Sequence, residues 1–285
     1  MPEKRKGLLI DSALYLVAFA IAWIPFTLIE NIIAAAAAFN VCAPFLLFLA
    51  SCAFSDVSIY DPYWSVAPVV MLLAIMYKCH LWNANALTLL ALFLVWSVRL
   101  TGNWYITYRG LRHEDWRYAM YREMHSAPVF TLISFFGLHL VPTLVVFSGF
   151  IPAILSIQEA VLVPLSLVGA LIMLAAVCLE YVSDRSIHRF LREHPGQRRT
   201  CNEGVWKYSR HPNYLGEMSF WTGLFLYYAA LRPEKWYLGI GFLTIILLFL
   251  AVSVPMMEKH NASRRPDYAE YREKTSMLLL LPNRH

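Results

Sequence analysis

Lys207-Tyr208-Ser209-Arg210-His211-Pro212-Asn213-Tyr214-Leu215-Gly216-Glu217 closes a basic, polar segment and runs straight into the apolar stretch that ends at Leu231. A passage from charge to hydrocarbon within a few residues marks a membrane surface. Pro212 suits the first position of a helix, because its missing N–H is among the donors that a helix start leaves unpaired. The helix is therefore predicted to begin there. Its unpaired N–H groups and positive dipole end point back at Lys207, Arg210 and His211, a combination that suits phosphate or another anion. Asn213 and Glu217 are four residues apart and share one face, while Trp221, Leu224, Phe225 and Tyr228 continue into lipid. A carboxylate so near hydrocarbon is costly unless satisfied. Two readings fit: Asn213 and Glu217 recognise a polar ligand group, or Glu217 pairs with a cation at a helix end. The first is favoured, since ionisable groups inside membranes are functional by default.

The composition agrees with that placement. At 285 residues, 59% hydrophobic and 15% charged, with a mean hydropathy of +0.50, the chain carries too little polar surface for a soluble domain of this size. Apolar windows long enough to cross a bilayer fall near 8–29, 31–54, 65–82, 85–107, 128–152, 160–183, 213–231 and 235–257. The expected fold is all-α, a polytopic bundle of about eight spans with cytoplasmic loops and a C-terminal amphipathic helix. Lys and Arg gather before the first span, in 108–126, in 184–210 and after 257. An even number of spans separates these segments, so they share one side, which the positive-inside rule makes cytoplasmic together with both termini.

Several chemistries are disfavoured. The five cysteines form no CxxC pair and the nine histidines no HxxH cluster, so no metal site is expected. No GxGxxG or GxxxxGK[ST] motif appears, which counts against a Rossmann or P-loop nucleotide site. The expected partners are the bilayer and a lipidic small molecule, with no nucleic acid.

Three further segments carry candidate residues. The loop after the second span, Asp56-Val57-Ser58-Ile59-Tyr60-Asp61-Pro62-Tyr63-Trp64, is acidic where its neighbours are basic. Its aromatics suit an interfacial belt and its aspartates suit helix caps. Equally, Asp61 and Tyr63 suit hydrogen bonds to the polar end of an apolar substrate. Arg99 sits inside the fourth span with Ser97 and Asn103 nearby, a pattern that more often faces a bundle interior than lipid. Helical spacing puts Glu180, Asp184 and His188 on one face. Near the C-terminus, Arg264-Arg265-Pro266-Asp267-Tyr268-Ala269-Glu270-Tyr271 fits a peripheral helix on anionic lipid. Alternatively, Tyr268 and Tyr271 cover an adenine ring while Arg264, Arg265 and Lys274 meet phosphates.

Gly204 to Glu217, the spaced Glu180 and Asp184, and the terminal Arg-Arg-Pro-Asp-Tyr-Ala-Glu-Tyr segment with Glu258 upstream together resemble the steroid 5-alpha-reductase-like membrane proteins. That family shares a superfamily with the sterol reductases and the isoprenylcysteine carboxyl methyltransferases. The Asp61-Pro-Tyr-Trp-Ser loop and the run from Trp96 to Arg117 look like a branch of the reductases common in bacteria and protists. The resemblance covers roughly 55 to 282. It divides the chain into N-terminal transmembrane helices, 1–54, and a reductase-like membrane domain, 55–285, whose cofactor site lies in about 180–282.

The resemblance implies an enzyme that transfers a hydride from NADPH to a C=C bond of a steroid-like or other lipidic substrate. Asp184, Tyr208, His211, Asn213 and Glu217 match positions that bind NADPH in such reductases; Arg210, Tyr268 and Tyr271 complete the expected cofactor set. The steroid-reducing members use a Tyr in the span that corresponds to the fourth here, where this chain has Trp96. An indole N–H is no practical proton source. Asp61 or Tyr63, supported by Arg99, is the expected catalytic substitute. The alternative is a methyltransferase using S-adenosylmethionine, since the superfamily's methyltransferases share an Arg-His-Pro-x-Tyr core.

Overall fold

Apolar windows of this length leave the backbone no water to bond with, so it satisfies itself within helices. The computed structural model describes residues 2–283, and among these it is helical, with one isolated bridge between Ser209 and Ser276. Helices occupy all eight apolar windows. Seven helical segments are long and apolar enough to cross a membrane: Glu3–Leu28, Ile32–Phe54, Val57–Lys78, Ala84–Thr107, Ala127–Ser156, Ser166–Glu193 and Pro233–Arg264. The helix Pro212–Leu231 is not among them. Its Asn213, Glu217 and cluster of Tyr, Trp and Gly residues dilute its hydropathy, and it buries Trp221, Tyr227 and Tyr228 against protein instead.

The chain forms two compact units: residues up to Trp82 with Trp96–Ile157, and Asn83–Val95 with Gln158 onward. In the first unit, short polar signals stop and start the helices. Asn31 accepts the Ala34 N–H at 3.0 Å and caps Ile32–Phe54. At the other end Ser55 takes a left-handed conformation and the Asp56 N–H bonds back to the Ser51 carbonyl at 3.0 Å, closing the helix with a Schellman-type turn. The helix over 127–156 contains a π-helical stretch, Ile133–Leu140, which turns His139 into the interior.

The second unit is organised by two helices that touch backbone to backbone. A Cβ added to Gly169 of Ser166–Glu193 would lie 2.4 Å from the Tyr227 nitrogen, and one added to Gly223 of Pro212–Leu231 would lie 2.9 Å from the Gly169 carbonyl oxygen. Small residues let helices meet this closely, which is how packing replaces the hydrophobic effect inside lipid. Two turns nearer the polar end, Gly216 leaves room for the Glu180 side chain in the same way.

Candidate functional site

The second unit carries the cleft that the sequence points to. The helix begins at Pro212 as expected, with His211 at its N-cap. Just upstream, Gly204 at φ +56° opens the 3-10 turn Gly204–Lys207, and the Trp206 indole N–H bonds to the Ser183 carbonyl at 2.9 Å. Only a residue without a Cβ takes that φ at little cost. The turn is thereby fastened to Ser166–Glu193, and Arg210 and His211 follow at a fixed place.

Glu258, on the last long helix, holds them there. Its Oε1 accepts the Arg210 Nε–H at 2.9 Å and the Tyr268 hydroxyl at 2.7 Å, and lies 2.8 Å from His211 Nε2. Arg210 also donates from Nη1 to the carbonyls of Arg272 and Thr275, at 2.8 and 2.6 Å. The Tyr271 hydroxyl donates to the Trp206 carbonyl at 2.6 Å. These bonds bring the C-terminal helix Tyr268–Lys274 against the Arg-His-Pro turn. Its Tyr268 and Tyr271 are buried while Glu270, Arg272 and Lys274 are exposed. Burial first, then the Glu258 carboxylate, pushes the Tyr268 phenol well above its ordinary pKa, so it stays a neutral donor.

The result is a cleft of about 120 Å³, lined by Arg210, His211, Asn213, Tyr214, Arg265, Tyr268 and Tyr271 among others. The His211 ring stacks on Tyr214, with centroids 5.3 Å apart and planes 9° from parallel. Five of the sequence-selected cofactor residues therefore meet on one surface: Arg210, His211, Asn213, Tyr268 and Tyr271. The other three are not among its lining residues. Asp184 is buried on Ser166–Glu193, Tyr208 is exposed, and Glu217 accepts the Trp221 indole N–H at 2.9 Å one turn further along. Aromatic faces, an amide and two guanidiniums around an open space suit an elongated polar ligand with a flat base and negative charge.

Behind this cleft Asp267 accepts the Thr200 N–H at 2.8 Å and its hydroxyl at 2.7 Å. Burial alone would raise its pKa, but the bonds from Thr200 prevail and hold the carboxyl below its ordinary value.

Asp61, Tyr63 and Arg99 belong to the first unit. There the acidic loop is locked to the segment after the fourth long helix. Asp56 accepts the N–H groups of Ser58 at 3.0 Å and Arg112 at 2.7 Å, Glu114 accepts the Val57 N–H at 3.0 Å, and Asp61 accepts the Tyr118 hydroxyl at 2.5 Å. Burial is the main influence on Asp56 and raises its pKa despite those donors. Tyr63 turns the other way, giving its hydroxyl to Asn40 Oδ1 at 3.0 Å and stacking on Tyr60. Both tyrosines line a narrow cavity of about 10 Å³ with Asn40, Trp64, Thr143 and Phe147. Asp61 and Tyr63 thus serve different partners. Arg99 is half-buried on Ala84–Thr107.

The sequence-selected site set missed Glu258 as the common acceptor and Asn40 and Thr143 as polar groups within the apolar core. Glu258 left a signal, a lone carboxylate at the polar end of a span, but its partners lie 47 and 48 residues upstream and 10 downstream.

A family model described as "Protein of unknown function (DUF1295)" matches residues 47–275. Comparison with curated proteins and with solved structures gives no match. The chain belongs to the DUF1295 family.

Proposed function

We propose that this member of the DUF1295 family is a membrane-bound reductase that uses NADPH to saturate a C=C bond in a lipidic substrate. The observation that carries the reading is the convergence of Arg210, His211, Asn213, Tyr268 and Tyr271 on one cleft. In this reading the cleft faces the cytoplasm, both termini lie on that side, and Pro212–Leu231 serves as an eighth span. The donor set fits the cofactor: ring faces for a base, the Asn213 amide for a carboxamide, and Arg265 for phosphate. NADPH supplies the hydride. The chain's own residues hold it, exclude water and deliver a proton to the substrate as negative charge develops. Asp61, or Tyr63 through its hydroxyl, is the proposed donor, with Arg99 supporting; Trp96 is not. The steroid-like character of the substrate rests on the family resemblance.

Methyl transfer from S-adenosylmethionine is the competing reading, because this chain's Arg-His-Pro-Asn-Tyr resembles the Arg-His-Pro-x-Tyr core that the superfamily's methyltransferases share. A dinucleotide needs more cationic and polar contacts, and Arg265 with the Asn213 amide favours it. The purified protein, given NADPH and an extract of membrane lipids, is expected to oxidise NADPH only when lipid is present, and to stop doing so in Asn213→Ala. Transfer of a labelled methyl group to lipid without NADPH consumption would replace the proposal with the alternative.

A further inference from the structure

The helix Ser166–Glu193 carries a second feature on the side away from the cleft. Its outward face is apolar: Leu167, Val168, Leu171 and Leu174 are each at least 42% exposed, and Tyr181 and Val182 continue the stripe. One turn later the same face becomes basic. Arg185, Arg189 and Arg192 recur at the four- and three-residue spacing that stacks side chains on one side of a helix, and with Val182 and Ser186 they line a groove. The buried Asp184 and the cleft-lining Ile187 occupy the other side of the helix.

The charge of this groove is largely uncompensated. Among the described residues only Glu203 comes within ion-pair distance of the three guanidiniums, 3.9 Å from Arg189, and both of those side chains are exposed. Arg185 donates to the Tyr181 hydroxyl at 2.9 Å, a neutral group that fixes its direction without cancelling its charge. Depth agrees with the chemistry. About 20 residues at roughly 1.5 Å rise cross the hydrocarbon layer, so counting from Ser166 the layer ends near Arg185. The arginines then lie at headgroup level, directly above a stripe that faces acyl chains.

We propose that this groove binds the headgroup phosphate of an anionic phospholipid, whose acyl chains lie along the Leu167-to-Val182 stripe. Guanidiniums pair with phosphate oxygens through two parallel N–H donors, and basic pockets at the ends of spanning helices recognise such headgroups. The inference does not depend on what the cleft binds.

The test is lipid retention. The full chain is placed in nanodiscs of phosphatidylcholine mixed with phosphatidylglycerol, extracted gently, and its bound lipids are identified by mass spectrometry. The wild-type protein is expected to retain phosphatidylglycerol preferentially. An R185Q/R189Q/R192Q variant loses that preference by roughly five-fold per arginine removed. The triple lysine variant, which keeps the charges, retains most of it and controls for folding, and R198Q/R199Q keeps the full preference. Unchanged preference in the triple glutamine variant, or an equal loss in R198Q/R199Q, overturns the proposal. So does stabilisation of the wild-type protein in phosphatidylcholine alone by inorganic phosphate to the extent given by phosphatidylglycerol, because that marks a soluble-phosphate site.

Discussion

Asp61 and Glu258 each accept a hydrogen bond from a tyrosine hydroxyl, Tyr118 at 2.5 Å and Tyr268 at 2.7 Å, yet their surroundings differ. Around Asp61 the carboxylates of Asp56 and Glu114 are spent on backbone N–H groups and on the Arg122 guanidinium, so that polar chemistry closes a loop onto the protein. Around Glu258 one carboxylate oxygen gathers Arg210, His211 and Tyr268, whose remaining surfaces line open space. The cavity volumes follow suit, about 10 Å³ beside Tyr63 and about 120 Å³ at the Arg-His-Pro turn. The same residue types thus make a fastening in one unit and a cleft in the other. What separates the outcomes is whether the donors are closed in by the protein or keep a face toward open space.

The largest expected effect tests the frame that carries the cleft. Gly223→Leu would drive a side chain into the Gly169 carbonyl and Met173, and is expected to cost about 3 kcal/mol and to broaden the size-exclusion profile. Gly102→Ala in the first unit, where an added Cβ meets nothing within 4 Å, should be near neutral or slightly stabilising. Equal effects would remove the close helix contact from the account.

The carboxylates give the next contrast. Glu258→Gln leaves the half-buried Arg210 without its charge partner, and should cost about 2 kcal/mol in thermal or denaturant unfolding. Asp61→Asn keeps an acceptor for Tyr118 and should cost about 1 kcal/mol. A reversed order would make Asp61 the structural anchor and leave Glu258 free for chemistry.

A smaller effect concerns binding alone. If Glu217 reads the cofactor, Glu217→Gln weakens NADPH affinity by roughly 1.5–3 kcal/mol without altering the melting temperature. Unchanged affinity in a titration removes Glu217 from the cofactor set.

The smallest effect is a pH dependence. The carboxyl of Asp267 is held below its ordinary value of 3.8, so the stability it contributes is present above that value and is lost as pH falls through the folded-state pKa. Asp267→Asn should flatten the acid limb of stability against pH, and an unchanged limb would show that Thr200 gives Asp267 no net preference for its charged form.

Periodicity and composition made the helices legible, because a bilayer demands long apolar runs and the runs are there to count. The start at Pro212 was legible too, from the chemistry of one residue. The pairing of Gly169 with Gly223 was not, since two glycines 54 positions apart say nothing of each other until the helices are side by side. Likewise the bond from the Arg112 N–H to Asp56 joins a backbone group to a side chain 56 positions away, and no side-chain pattern announces a backbone donor. The turn of His139 inward depends on a π-helical stretch, which shifts the face a helical count assigns. In the cleft, Arg210, His211 and Asn213 were readable because they lie within four residues of one another, whereas Glu258 was visible as a carboxylate at the polar end of a span but its partners, 47 and 48 residues upstream and 10 downstream, were not.

The most direct measurement is the thermal unfolding of the detergent-purified protein with NADPH, NADH or S-adenosylmethionine at one concentration. A ligand that binds only the folded state raises the apparent stability, by about 2.7 kcal/mol at a hundred times its Kd. NADPH is expected to raise the melting temperature of the wild-type protein, and Asn213→Ala is expected to lose most of that shift. A shift with S-adenosylmethionine alone would contradict the account and assign the cleft to methyl transfer.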